Sequence, residues 1–454
     1  MNILVINGSP KGQYSTTLQT SLYLEILHPE HTFSYLDAGK KILQLEKDFT
    51  PASEAVSRAD LLLFSYPVYT FLAPSQLHRF IALLKADGCA AGKFATQLTT
   101  SKHFYDVTAH AYVRDNCLDM GLKFIDGLSA DMEDLTHERG RRQAEAFFDR
   151  VVWSMENGIF TEGAPACTPP EHVPATLPSA PAAPTEGDIV IVADLAAGDA
   201  PLAAMVARFQ AVSTRRTRLV NIHDFPFRGG CISCFNCSTD GTCIYQDGFQ
   251  ELLRGSIQSA EAIVLAFSIA DHSMGTVFKT YDDRQFCNGH RTVTMGKPFG
   301  YLVSGSLSAE ENLRLVIRAR AEVGGNYLAG VATDERDTDA AIDQMARSLC
   351  RAIETHYQEP ANFYGVGGMK IFRDLIYEMQ GMMKADHRFY KAHGQYDFPQ
   401  KKRGTVMAMY LVGAMMGSKK IKAKMGSKMN EGMLMPYGKA LRLARERMGI
   451  QETK

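Results

Sequence analysis

The chain has 454 residues, 45% of them hydrophobic and 22% charged, with 49 Lys+Arg against 50 Asp+Glu. That length calls for two or three domains of ordinary globular composition, and the balanced charge gives no overall argument for nucleic acid. The charge is unevenly placed: residues 364–454 hold 18 Lys+Arg and 7 Asp+Glu, a net of +11 that leaves −12 for the rest of a chain at −1.

An apolar run at residues 1–6 stops in Asn7-Gly8-Ser9-Pro10-Lys11-Gly12-Gln13-Tyr14-Ser15-Thr16-Thr17-Leu18, after which helical spacing begins. This is the pattern of a buried parallel strand turning into a helix. Backbone N–H groups at the start of a helix, the hydroxyls of Ser9, Ser15, Thr16 and Thr17, and the charge of Lys11 form a donor set for a phosphate. The spacing matches neither the dinucleotide glycine pattern nor a Walker loop, and a strand–turn–helix with no ligand has the same outline. Strands are expected at 31–36, 59–65, 93–98 and 123–128, with helices at 75–84 and 135–155. Such alternation calls for a doubly wound parallel sheet, whose ligands sit at the carboxyl ends of the strands. Two further loops follow strands. Pro67-Val68-Tyr69-Thr70-Phe71 offers backbone groups and flat side chains suited to the edge and face of an isoalloxazine ring. Thr99-Thr100-Ser101 is placed to bond its pyrimidine side, with Lys102 or His103 to stabilise a reduced flavin. Tyr69 and Phe71 read equally well as core aromatics.

Seven of the 18 prolines fall within residues 161–188, which reads as an exposed, semi-extended linker. Beyond it the order repeats, with strands expected at 189–193, 217–222, 260–267 and 299–303 and a helix at 202–211. The second copy differs in its loops. Asp194 and Asp199 stand where the first has hydroxyls and a lysine, so phosphate is repelled and one flavin per chain is expected. The organisation read from this is a first domain at 1–160, a linker at 161–187, a second domain at 188–358 and a basic, Met-rich helical tail at 359–454. In the tail, residues 369–379 have helical spacing, and a short apolar run at 406–416 lies between Lys401-Lys402-Arg403 and Lys419-Lys420. It is too short to cross a bilayer. Packing against the acidic body or a second subunit is the preferred expectation, and weak contact with a membrane surface is the alternative.

Of nine cysteines, four crowd into Cys231-Ile-Ser-Cys234-Phe-Asn-Cys237-Ser-Thr-Asp-Gly-Thr-Cys243. Three thiols at i, i+3 spacing let a tight loop surround one object, and Gly241 lets the chain return with the fourth. A [4Fe–4S] cubane accepts such compact loops. Structural zinc uses four cysteines from two separated knuckles more often, and redox-active or merely buried thiols are a third reading. With no leader pattern and no apolar run of spanning length, the expected location is cytoplasmic.

The first domain resembles the flavodoxin-like NAD(P)H-dependent FMN reductases through Gly8-Ser9-Pro10-Lys11…Ser15-Thr16-Thr17-Leu18 and Tyr66-Pro67-Val68-Tyr69…Pro74-Ser75-Gln76-Leu77. The cysteine loop is similar to that of the iron–sulfur flavoproteins, although here it stands on the other copy from the phosphate loop. The resemblance implies an α/β chain of two tandem flavodoxin-like domains. Ser9, Lys11, Ser15, Thr16, Thr17, Leu18, Pro67, Val68, Tyr69, Thr70, Phe71, Thr99, Thr100 and Ser101 would hold FMN, and Cys231, Cys234, Cys237 and Cys243 a [4Fe–4S] cluster. It further implies NAD(P)H as co-substrate, a small acceptor such as a quinone, a ferredoxin-like donor and a homodimer. No general acid or base is assigned. The alternative is an FMN-binding electron-transfer protein with no turnover of its own.

Overall fold

The computed structural model describes residues 1–163 and 171–416, with Glu446 and Met448. Met1–Tyr390 form one compact unit and Lys391–Lys454 a second. Within the first unit the strands are β1 (Asn2–Asn7), β2 (Thr32–Leu36), β3 (Leu61–Pro67), β4 (Phe94–Ser101), β5 (Lys123–Phe124), β6 (Leu128–Asp131), β7 (Thr185–Ala193), β8 (Arg215–Asn221), β9 (Ala262–Ser268), β10 (Pro298–Ser304) and β11 (Tyr327–Thr333).

β1 and β3 are the central strands of the first sheet, and their apolar runs are buried on both faces, as parallel strands covered by helices must be. The order is β2-β1-β3-β4-β5, with β6 also paired to β4. The fifth strand expected at 123–128 is broken in two. Gly127 crosses so close to β4 that a Cβ there would meet the Gln97 carbonyl oxygen at 2.3 Å, so pairing stops and resumes at Leu128. The second sheet runs β11-β10-β9-β7-β8, the same succession in its own copy, all parallel. Both sheets therefore have the flavodoxin-like order 2-1-3-4-5.

The copies meet through equivalent helices. Ser75–Asp87, which follows β3, packs on Thr276–Arg284, which follows β9; Asp106–Asp119, after β4, packs on Glu311–Gly324, after β10. This is the like-on-like contact of a two-fold dimer, built inside one chain. One hydrophobic core runs through it, from Leu4, Phe64 and Phe80 to Phe278, Tyr281 and Val303. Residues 171–184 of the expected linker run extended along the second copy, where Val173 N–H donates to the Asp334 carbonyl at 2.6 Å and Thr176 to the Asp339 carboxylate. Helix Phe363–Glu378 packs on Glu311–Gly324, with Gly365 and Gly368 permitting the approach, so the compact unit continues past residue 358. In the second unit a helix spans Arg403–Met416; the expected basic pair Lys419-Lys420 lies outside the described residues.

Candidate functional site

The loop after β1 is drawn in by its own side chains. Asn7 accepts from Ser9 N–H at 3.2 Å and donates to Asp37 at 2.9 Å, and Ser9 Oγ accepts from Lys11 N–H at 3.3 Å. Ser15 caps helix Thr16–Leu27, its hydroxyl accepting from Leu18 N–H at 3.4 Å. The N–H groups of Thr16 and Thr17, in the first turn, have no intrahelical acceptor and carry the positive end of the helix. Thr17 and Thr100 hydroxyls meet at 2.6 Å, tying this loop to the end of β4. Ser9, Lys11, Ser15, Thr16 and Thr17 line a cavity of about 390 Å³.

The loop after β3 makes a hairpin turn: Tyr69 and Leu72 exchange backbone bonds of 2.8 and 3.0 Å, with Thr70 at φ 42° and Phe71 at φ 71°. Two consecutive positive φ values define a type I′ turn, which Thr and Phe enter at a conformational cost that glycine would avoid. The second copy repeats this turn at Ala270–Ser273, with Asp271 at φ 51° and His272 at φ 58°, although the two loops share neither proline.

The strain of the first turn is offset by groups around it. Thr108 Oγ1 donates to the Phe71 carbonyl at 2.5 Å. From the second copy, the fully buried Lys279 ammonium donates to the Tyr69 carbonyl at 3.0 Å and to Thr70 Oγ1 at 2.7 Å, and pairs with the equally buried Asp283. Asp283 in turn accepts from the Thr70 hydroxyl and, at 2.7 Å, from Ser75 N–H, at the head of helix Ser75–Asp87. Burial raises the Asp283 carboxyl above its ordinary range despite Lys279 beside it. Tyr69 and Phe71 are both aromatic packing residues and part of the cavity wall; Arg320 lies 5.4 Å from the Phe71 ring centre.

The third expected loop is the end of β4. Thr100 and Ser101 line the cavity, whereas Thr99 points to the other side, its hydroxyl 2.8 Å from His110 Nε2. Leu18 likewise stands behind the wall, buried in the core beneath the phosphate loop. Lys102 is held between Asp131 at 3.1 Å and Glu133 at 3.0 Å, and His103 bonds Asp106 at 2.8 Å, so both side chains already have anionic partners.

The four-cysteine loop closes the cavity from the second copy. Its two ends are pinned by the buried Arg284–Asp247 pair: Arg284 donates to the Gly229 carbonyl at 3.0 Å and lies 4.3 Å from the Tyr245 ring centre. Burial alone would raise the Asp247 carboxyl, but Arg284 and the Arg228 N–H outweigh it and hold it at about 2. Gly230 passes so near helix Ser75–Asp87 that a Cβ would meet Ser75 Oγ at 2.3 Å. Gln76 donates to the Cys231 carbonyl at 3.3 Å, and Phe235 brings its ring 5.2 Å from the Lys11 ammonium. Burial lowers Lys11, while Cys231 and Cys234 pull it back up.

All four cysteines line the same cavity as the phosphate loop and are free thiols. Burial pushes the Cys231 thiol well up and that of Cys237 to about 11, with Cys234 and Cys243 adding to the second. Ser233 N–H points to Cys231 Sγ at 3.4 Å, and the Cys237 thiol donates to the Phe286 carbonyl at 2.9 Å. Among the described residues no three His, Cys, Asp or Glu side chains stand where they would hold one metal ion. Four thiols on one cavity wall are the donor type and number that a [4Fe–4S] cluster takes.

In the second copy the equivalent helix start is capped by a carboxylate instead of a hydroxyl. Asp199 caps helix Ala200–Val212, accepting from Leu202 N–H at 3.3 Å and from Ser268 Oγ at 2.6 Å. A carboxylate of the chain thus takes the place a phosphate would need.

The strand orders of both copies define a flavodoxin-like α/β fold. Residues 1–118 match the family model described as NADPH-dependent FMN reductase. An iron-sulfur flavoprotein of Archaeoglobus fulgidus is 27% identical over 173 residues, covering 36% of this chain and 78% of that protein. The chain is thus similar to the flavodoxin-like FMN reductases, the family model matching within its first copy. Similar solved structures include an apo NADH:FMN oxidoreductase (22% identity, TM-score 0.31, 36% of this chain and 96% of that one). A second is a general stress protein 14 from Treponema denticola in complex with FMN (13% identity, TM-score 0.29, 34% of this chain and 99% of that one).

What sequence reasoning missed is the clamp. Lys279, Asp282, Asp283 and Arg284 carry no expectation above, and none is more than 3% exposed. The one available signal was an i, i+4 Lys–Asp pair beside two further charges on a helix that also carries Phe278 and Tyr281.

Proposed function

We propose that the chain is an FMN-dependent oxidoreductase that moves electrons between NAD(P)H, or a ferredoxin-like donor, and a small acceptor such as a quinone, with a [4Fe–4S] cluster on Cys231, Cys234, Cys237 and Cys243 as relay. The observation that carries this is a single cavity walled by the phosphate loop of one copy and the cysteine loop of the other. When bound, the flavin supplies hydride acceptance and the release of electrons singly or in pairs, and the cluster a one-electron path.

The chain supplies placement. The N–H groups of Thr16 and Thr17, the hydroxyls of Ser9 and Ser15, and Lys11 would hold the phosphate, with Phe235 shielding the lysine from water. The strained turn at Tyr69–Leu72, fixed by Lys279, Asp283 and Thr108, would present backbone groups of residues 67–71 to the ring edge without rearranging on binding. Thr100 and Ser101 would bond its other side. The four thiols must lose their protons to ligate iron, so metal repays the cost of ionising Cys231 and Cys237 in a buried site.

The test is anaerobic purification with iron, zinc and FMN counted in one sample, followed by stopped-flow mixing with NADPH and NADH. The expected result is one FMN and four irons per chain, with flavin bleaching on the timescale of turnover. Cys234→Ala should abolish the cluster absorption and leave FMN bound. Retention of iron in that variant refutes the cluster assignment, and a flavin that neither nucleotide reduces refutes the reductase.

A further inference from the structure

The second compact unit contains a helix, Arg403–Met416, with no charged side chain after Arg403. Every residue from 403 to 414 is exposed. Val406 is 48% exposed, Met407 66%, Met409 58%, Tyr410 75% and Leu411 65%. At roughly 100° per residue these five side chains cover an arc of about 200°, and Val412, 37% exposed, and Ala408 fall in the remainder, so no face of the helix is charged beyond its first residue. A groove on a protein or a second copy of this helix covers one face. A helix apolar all round needs an apolar medium on every side.

Charge chooses the medium. Lys401-Lys402-Arg403 stand at the head of the helix, and in the sequence Lys419, Lys420, Lys422 and Lys424 follow its end with no acidic residue before Glu431. Fourteen residues span about 21 Å, short of the roughly 30 Å hydrocarbon core. Among the described residues no helix is long and apolar enough to cross a membrane. The apolar segment is therefore too short to span, and cations stand on both sides of it in the sequence.

We propose that Arg403–Met416 is a monotopic anchor that inserts into the surface of an anionic lipid membrane, held there by the basic residues on either side. This stands independently of the redox reading above.

The test is flotation of the full-length protein with vesicles of phosphatidylcholine alone and with 30% phosphatidylglycerol. Binding to the anionic vesicles is expected, at least tenfold weaker on neutral ones and weakened by salt, since each cation near the surface contributes about a fivefold gain in partition. Met407→Asp and Met409→Asp should each reduce binding at least tenfold, and Lys401→Glu/Lys402→Glu should do so on anionic vesicles alone. Circular dichroism and FMN content, unchanged in these variants, would separate the effect from misfolding. Loss in only one of the two Asp variants would show a one-sided contact and overturn the proposal. So would equal binding to both vesicle types, or no vesicle binding together with concentration-dependent self-association that Met407→Asp abolishes.

Discussion

Replacing Lys279 by Met removes the cation that joins the two copies at the flavin-side turn while keeping an unbranched chain to fill the space. It leaves the Asp283 carboxylate, 0% exposed, with only the Thr70 hydroxyl and Ser75 N–H as partners. Two routes give the same size of effect. Breaking a buried ion pair from one side costs about 3–5 kcal/mol. Alternatively Asp283 takes up a proton; for an acid of unperturbed pKa about 3.9, holding it neutral at pH 7 costs about 4 kcal/mol, three units at 1.36 each. The second route fixes the sign of the pH dependence. A carboxyl whose folded pKa is raised binds more protons folded than unfolded, so stability is lost as pH rises. The deficit of Lys279→Met relative to wild type should therefore grow by roughly 1.4 kcal/mol per pH unit between about pH 5 and 7. Urea unfolding followed at several pH values measures this, and Lys279→Met/Asp283→Asn should recover most of the loss and flatten the slope. Because this pair fixes the turn proposed to meet the flavin, FMN affinity in the single variant should fall by at least tenfold at pH 7 and less at pH 5. A deficit under about 1 kcal/mol that ignores pH would show that the turn stands without the clamp and refute the reasoning.

Gly39→Ala places a methyl group 2.4 Å from the Gly8 carbonyl oxygen and 2.6 Å from Ser9 C, both backbone atoms of the phosphate loop; FMN binding by fluorescence titration should weaken at least tenfold while the second copy keeps its fold. A titration of apoprotein should saturate at one FMN per chain, because Asp199 occupies the second helix start, and a second equivalent would contradict that assignment. Burial holds His110 down at about 4 and His78, stacked on Tyr112, well below its ordinary value. Below pH 6.5 the unfolded chain takes up protons that the folded one refuses, so stability should fall as pH drops toward 4, by roughly 3 kcal/mol from His110 alone. His110→Gln should flatten that part of the profile, measured by thermal unfolding.

How much was legible follows from what each signal encodes. Apolar runs such as Leu61-Leu-Leu-Phe64 mark strands buried on both faces, and they placed β3 and β9 within two residues, whereas β7 begins four residues before the expected start, at Thr185 in a polar stretch. The edge strand β11, Tyr327–Thr333, was not anticipated: its Ala329, Gly330 and Ala332 are small, and most of it is half-buried, so its pattern is faint. The phosphate loop and the cysteine loop were legible because their chemistry lies in residue type and local spacing. That they share one cavity was not, since it depends on Gly230 nesting against Ser75 some 155 positions away in the chain (Cys231 and Gln76 are separated by 155 residues). The clamp was invisible for a different reason: a buried charge and a solvated one are the same letter.

The two copies divide the work in a way the duplicated turn makes plain. Both carry a type I′ turn after the third strand, Tyr69–Leu72 and Ala270–Ser273, and both turns are occupied by residues that prefer other conformations. In the first copy the turn is held by Lys279 and Asp283 of the second. In the second, the partner is Asp119 of the first, which bonds His272 at 2.9 Å, and Glu310, which bonds it at 3.0 Å and raises its pKa. Each copy thus fixes the turn of the other across the same pseudo-two-fold contact, yet the helix start beside the turn is capped by the neutral Ser15 in the first and by the carboxylate of Asp199 in the second. The second copy, with a carboxylate at its helix start, has a structural duty instead. It still supplies the clamp, the Arg284–Asp247 pins and the thiols, which are what a symmetric second subunit would contribute at a dimer interface. On this reasoning the second copy cannot be removed without collapsing the flavin-side turn of the first, whatever acceptor the cavity serves.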